Sequence, residues 1–328
     1  MRTLFLTADE QGVRRGAEVI RAGGLVAFPT ETVYGLGADA LSSAAVVRIF
    51  EAKERPRGNP LIVHLASAAA LESIAVRVPP RARHAAARFW PGPLTLVVPR
   101  AATVPLITTG GLETVAARVP AHPVARALIE ASGRPIAAPS ANRSGRPSPT
   151  CAEHVRDDLD GRIELILDGG PTPVGVESTV LDMTTDPPML LRPGGVTLEE
   201  LKDCLGEVAV LGSGDEEAAG RSPGLRYRHY APRAQVIIID AGTGEKVVAA
   251  WLEAGRPVAL MTQRPVSLER RGLRVKTMPD DLGAYARDLF AALRELDSTG
   301  VEGIFVEAVP REGLGLTIMD RLRRAASS

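Results

Sequence analysis

Lys53 and Arg55, two cations separated by one residue, and Ser140 and Asn142, a hydroxyl and an amide at the same spacing, are the residues best suited to grip a polyanion. In extended backbone, residues two apart point the same way, so each pair can address one ligand. Pro56 biases Arg55 toward extended geometry. The bland alternatives are a solvated helix end with Lys53 at the negative pole of the dipole, and turn chemistry for Ser140 and Asn142. Arg118 is harder to dismiss, because it interrupts the apolar run Val115–Val119. A guanidinium there needs an anion, either a carboxylate of a substrate bound bidentately or an internal Asp or Glu. His64, inside Leu61–Leu65, reads either as a satisfied core histidine or as a ligand. GxxxxGK[ST], strand-to-helix GxGxxG, HExxH and GxSxG are all absent, so a bound nucleotide would be held by side chains.

These residues must be positioned by alternating strands and helices. Apolar β-rich runs cover 24–29, 61–65, 94–98, 114–119, 136–139, 163–167 and 178–183, with helical spacing over 43–53 and 123–131. Ser140 and Asn142 thus follow a strand end, where binding residues of α/β sheets concentrate. A helix is expected over 198–205, followed by a small, polar, Gly-rich stretch from Gly212 to Gly224 with linker composition. The pattern then restarts: strands 236–239, 258–261 and 303–307 alternate with helices 245–253, 282–296 and 316–325, predicting a second, smaller α/β domain with mainly parallel pairing. The expected organisation is a domain over 1–208, a linker or lid over 209–232, and a second domain over 233–328.

At 328 residues the chain exceeds the comfortable size of one core. Lys plus Arg and Asp plus Glu both number 39, which argues against a whole-surface nucleic-acid binder but permits a local basic cleft. The N-terminus has no signal-peptide pattern and no apolar run reaches the ~18 residues of a membrane span, so a cytoplasmic protein is expected. Two distant cysteines, Cys151 and Cys204, suggest neither disulfide nor zinc site, and no protein metal site is expected.

Taken together, Phe28–Gly37, Lys53–Pro56, Asn59–His64, Phe89–Thr95, Arg118–Pro120, Pro139–Gly145, Val176–Thr179 and Leu191–Gly194 closely resemble the YrdC-like domain of threonylcarbamoyl-AMP synthases. Ser222–Pro232 resembles the linker of the two-domain form, with Leu225 and Arg226 in place of an expected Met-Lys, and Gly313–Leu322 resembles the end of its extra domain. The resemblance implies a YrdC-like twisted mixed-sheet domain followed by a smaller Rossmann-like α/β domain. It implies condensation of L-threonine, bicarbonate and ATP into threonylcarbamoyl-AMP, releasing pyrophosphate, for tRNA modification. Carried over by motif, Arg55, Asn59, Thr114, Ser140, Ser148, Arg192 and Tyr230 would contact ATP. Thr32, His64, Arg118, Ala138 (through its backbone) and Ser178 would line the threonine pocket. Lys53, Arg55, Ser140 and Asn142 would form the catalytic signature. Mg²⁺ would come bound to ATP, and the product would pass to a tRNA threonylcarbamoyl transferase.

Two other classes compete. An RNA-binding module could use the same cations on an RNA backbone, but gives no role to His64, Ser178 or Arg118. A carbamoyl-adenylate-forming maturation factor would carry zinc-finger Cys pairs, which this chain lacks. The Arg221–Pro232 stretch, with Arg226, Tyr227, Arg228, His229 and Tyr230, is expected to act as a lid, or else to anchor the second domain by packing.

Overall fold

A strand built from Leu4–Thr7 (β1) leads into a helix over Glu10–Arg21 (α1), capped by the Asp9 carboxylate, which accepts from Gly12 N at 2.8 Å. The computed structural model describes residues 2–212, 218, 220–222 and 230–327. Next come β2 (Val26–Phe28), β3 (Gly35–Asp39), α2 (Ser43–Lys53) and β4 (Ile62–His64). A 3₁₀ turn over Ala68–Ser73 then precedes α3 (Pro80–Phe89), β5 (Leu94–Pro99), β6 (Thr114–Arg118), α4 (Pro123–Ser132) and β7 (Ile136–Ala137). The unit is completed by α5 (Ala152–Leu159), β8 (Leu165–Asp168), β9 (Thr179–Asp182), β10 (Met189–Arg192), α6 (Leu198–Leu205) and β11 (Ala209–Val210). Proline at the first turn of α3 and α4 and a Thr197–Glu200 capping box on α6 fix where those helices begin.

These strands form one mixed sheet in the order β1-β8-β2-β3-β7-β4-β6-β5-β9-β10-β11. β4 pairs parallel with β6 and antiparallel with β7, and β5 pairs antiparallel with β6 and parallel with β9. Val63, Leu94, Leu96, Val98, Val115, Ala117 and Leu181 point to one face and join the main core with α2 and α3. The opposite face of the same strands carries a smaller cluster, Ile62, Val97, Ala116, Val180 and Leu191. Strand alternation therefore puts His64 with Ile62, and Thr114 and Arg118 with Ala116, on this second face.

The second unit contains β12 (Gln235–Ile239), α7 (Gly244–Glu253), β13 (Val258–Thr262), β14 (Leu273–Thr277), α8 (Leu282–Ser298), β15 (Gly303–Glu307) and α9 (Leu314–Ala326). Its four strands are all parallel, in the order β12-β15-β13-β14; the three expected strands and their parallel pairing are present, and β14 is an additional edge strand that the sequence reading did not include. By contact density this unit also takes in two short strips of the earlier chain, Gly145–Ser148 and Val174–Val176. Among the described residues no helix is long and apolar enough to cross a membrane.

Candidate active site

Register places His64 at the end of β4 directly beside Arg118 at the end of β6. Arg118 is almost fully buried and held at three points. Its Nε donates to Gly92 O at 3.1 Å and its Nη1 to Thr32 Oγ1 at 2.9 Å, while Nη2 lies 2.5 Å from Glu31 Oε1. The anion that Arg118 requires is thus present in the chain itself, as Glu31. Sequence reasoning missed this carboxylate, although it stands between Thr30 and Thr32 in the quoted motif. A buried arginine should have prompted a search for its nearest motif acid.

Thr32 is fixed by a tight turn in which Thr30 Oγ1 lies 2.8 Å from Thr32 Oγ1 and donates to Val33 O at 2.6 Å. Burial, the largest single influence, would by itself raise the Glu31 carboxyl, but the Arg118 charge, the Arg118 hydrogen bond and backbone hydrogen bonds from Glu31 and Ala121 together outweigh it and hold the group below the usual carboxylate range. His64 is pushed down to about 3, first by burial and then by the Arg118 charge, so it is a neutral imidazole at physiological pH. Its Nδ1 lies 3.2 Å from Ile62 O. The net charge of Arg118, Glu31 and His64 is therefore zero.

Ser178 precedes β9 at the same end of the sheet. Its Oγ is 2.8 Å from Thr95 Oγ1, and its carbonyl accepts from Arg192 Nε and Nη2 at 3.2 and 2.9 Å. Arg192, reaching back from β10, thereby sits with the residues assigned to threonine.

The Lys-x-Arg pair departs from its expected geometry. Lys53 is the last residue of α2, and Glu54 turns the chain through the left-handed region at φ 54°, so the two cations do not share an extended segment. Lys53 is buried, and its ammonium donates to the carbonyls of Ser140, at 2.5 Å, and Asn142. Its own carbonyl accepts from Ser144 N at 2.9 Å. Lys53 thus fixes the Ser140–Ser144 loop. Within that loop Ser140 Oγ donates to Asn142 Oδ1 at 2.5 Å, and Asn142 Nδ2 to Arg143 O at 2.8 Å. Arg55 Nη2 donates to Pro60 O at 3.2 Å, and Asn59 is buried beside it.

Two groups of residues result. Arg55, Asn59 and Thr114 lie toward the starts of the parallel strands β4 and β6, and Ser140 follows β7 toward the same side, since Ala138 N donates to Ile62 O at 2.9 Å. Thr32, His64, Arg118, Ser178 and Arg192 lie toward the other end. Arg118 is four residue steps along the strand from Thr114, about 13 Å at the usual rise. Ala116 and Ala138 line the ground between them.

Ser148 and Tyr230 belong to the second unit. Ser148 is fully buried there. Of the residues expected to form a lid, Arg226, Tyr227, Arg228 and His229 lie outside the described residues. Tyr230 is buried, its ring centroid 5.1 Å from that of Phe290 and the Arg321 guanidinium 5.4 Å above it. Phe290 and Arg321 belong to the same unit as Tyr230.

A family model described as "Telomere recombination" matches residues 18–194, and one described as "Threonylcarbamoyl-AMP synthase, C-terminal domain" matches 196–327. A threonylcarbamoyl-AMP synthase from Pyrococcus abyssi is 51% identical, the match covering 97% of this chain and 95% of that protein. The chain belongs to the threonylcarbamoyl-AMP synthase family. A Bacillus subtilis member is 46% identical over 98% of this chain and 94% of its own length. The two-domain form is also seen in structure: P. abyssi Sua5 complexed with L-threonine superposes with a TM-score of 0.93 at 49% identity, covering 99% of this chain and 98% of that one. The YrdC-like and Rossmann-like expectation for the two units agrees with that match.

Proposed function

We propose that this chain is a nucleotidyltransferase that condenses L-threonine, bicarbonate and ATP into threonylcarbamoyl-AMP and releases pyrophosphate. The threonine amine and bicarbonate give a carbamate and water, and the carbamate oxygen attacks the α-phosphorus as pyrophosphate leaves. No protein nucleophile is needed. The catalytic work is to hold two anionic reactants in line and to neutralise phosphate charge. The observation that carries the reading is the division of one sheet face into an amino-acid end, with Arg118, His64, Thr32 and Ser178, and a phosphate end, with Arg55, Asn59, Thr114 and Ser140. Neutral His64 offers hydrogen bonding there without adding charge.

Lys53 acts by holding the Ser140–Asn142 loop, and Arg192 by bracing Ser178. Ser148 and Tyr230 are assigned to ATP on their motifs alone. Mg²⁺ would be carried by the ATP phosphates and water. The product's use in threonylcarbamoyladenosine formation points to a cytoplasmic tRNA transferase as the next partner.

Pyrophosphate release should require threonine and bicarbonate together. Release at the same rate without either one would overturn the assignment.

A further inference from the structure

Thr95, the last residue of the Phe89–Thr95 motif, is fully buried in β5. Leu94, Leu96 and Val98 point into the main core, whereas Thr95 shares the face of Val97, and its register partner on β9, Val180, belongs to the same small apolar cluster. That is the face which carries Arg118 and His64. A threonine on it, in a strand otherwise made of Leu, Val and Pro, brings in a hydroxyl that must find a partner. The partner is Ser178. Thr95 Oγ1 lies 2.8 Å from Ser178 Oγ, and among the described residues this is the one hydrogen bond of the Thr95 hydroxyl.

The direction of that bond follows from a count of protons. A hydroxyl has one proton and two acceptor lone pairs. Arg192 Nη2, which can only donate, reaches Ser178 Oγ at 3.3 Å. If Ser178 donated to Thr95, the Thr95 proton would be stranded in the interior, which is costly. Thr95 therefore donates, Ser178 accepts from both neighbours, and the Ser178 proton is left to point away from them. We propose that Thr95 is a positioning residue of the amino-acid end, which sets Ser178 as a hydrogen-bond donor to an acceptor oxygen of the amino-acid substrate. This rests on the functional reading above, in which Ser178 lines the threonine pocket, and adds to it the residue that fixes the Ser178 proton.

The test is calorimetric titration of the intact chain with L-threonine and, separately, with ATP. Thr95→Val stays close in shape and removes the hydroxyl; it should weaken threonine binding by on the order of 10-fold, the range of one hydrogen bond, and leave ATP binding within about twofold. Thr95→Ser, which keeps the hydroxyl, should restore most of that loss. Adding Thr95→Val to Ser178→Ala should cost nothing further, because the group it orients is already gone. Threonine binding by Thr95→Val as tight as that of the unaltered chain, Thr95→Ser as weak as Thr95→Val, or full additivity with Ser178→Ala would each overturn the proposal. If Thr95→Val does not fold by circular dichroism, Thr95→Ala against Thr95→Ser decides in its place, and equal affinities overturn it. A Ser178→Ala variant that binds threonine normally brings down the assignment of Ser178 and the proposal with it, whereas a Ser178 effect without a Thr95 effect overturns the positioning role alone.

Discussion

His64 illustrates how much chemistry a single buried side chain can carry. Unfolded, its imidazole takes a proton near 6.5; folded, it resists protonation down to about 3. Between those values the unfolded chain binds the extra proton, so stability is complete above pH 6.5 and falls as the pH drops, by about 1.4 kcal/mol per pH unit while His64 alone is titrating. Urea unfolding between pH 6.5 and 5, above the range of ordinary carboxylates, should show this slope, and His64→Asn should flatten it. An unchanged slope in the variant would place the acid lability elsewhere. The same residue shows what sequence could and could not say. His64 and Arg118 announced themselves as polar groups in apolar runs. Glu31 did not, because a carboxylate flanked by threonines in a turn just after Pro29 looks like any solvated loop until the fold buries it.

At the level of elements, β9 and β10 are joined by a close approach that only glycine permits. A Cβ on Gly194 would stand 2.2 Å from Thr179 N, 2.3 Å from Ser178 C and 2.4 Å from Glu177 O, all backbone atoms that cannot swing aside. Gly194→Ala should therefore push Ser178 out of place, costing roughly 1–3 kcal/mol in chemical denaturation. Pyrophosphate release should fall with it. Gly212→Ala, where nothing lies within 4 Å, is the matched control and should be neutral. Loss of equal size in both variants would remove the packing argument.

Element patterns were legible where the apolar stripe was uninterrupted, as in β5, β6, α2 and, in the second unit, β12, α7, β13, α8, β15 and α9. They were not legible in α1, whose buried face includes Gly12 and Gly16. Those glycines let the helix approach Thr7 O and Leu128 and lower its intrinsic helix propensity, although its apolar and polar faces remain sharply separated. The exposed edge strands β1 and β14 were not read either: β1 has little to bury, and β14, although Leu273–Thr277 alternates apolar and polar residues, stays largely exposed.

For the whole molecule, the notable fact is that the second unit is not one continuous stretch of chain. Gly145–Ser148 and Val174–Val176 belong to it by contact, although more than fifty residues separate each strip from Arg228, where its main part begins. Ala231 N donates to Gly145 O at 2.7 Å and Arg294 Nη2 to Pro147 O at 2.5 Å. A Cβ on Gly175 would lie 2.3 Å from Arg287 Cα, a backbone-to-backbone approach with no room for a side chain. A chain cut after residue 212 would keep the large core of the mixed sheet, so it should still fold, with a native-like circular dichroism spectrum. It would lose the partners that fix Gly145 and Pro147, immediately downstream of the Ser140–Ser144 loop that Lys53 holds. Loss of those backbone bonds frees a segment next to the proposed phosphate residues, and positioning catalysis is sensitive to displacements of about 1 Å. The truncated chain should therefore bind threonine nearly as well as the full chain, through Arg118, His64 and Ser178, while its pyrophosphate release falls by on the order of 10²-fold. Gly175→Ala in the full chain should reproduce part of that loss. Full-rate synthesis by the truncated chain would mean that residues 145–148 order themselves without the second unit, and that the unit's investment in those strips serves stability alone.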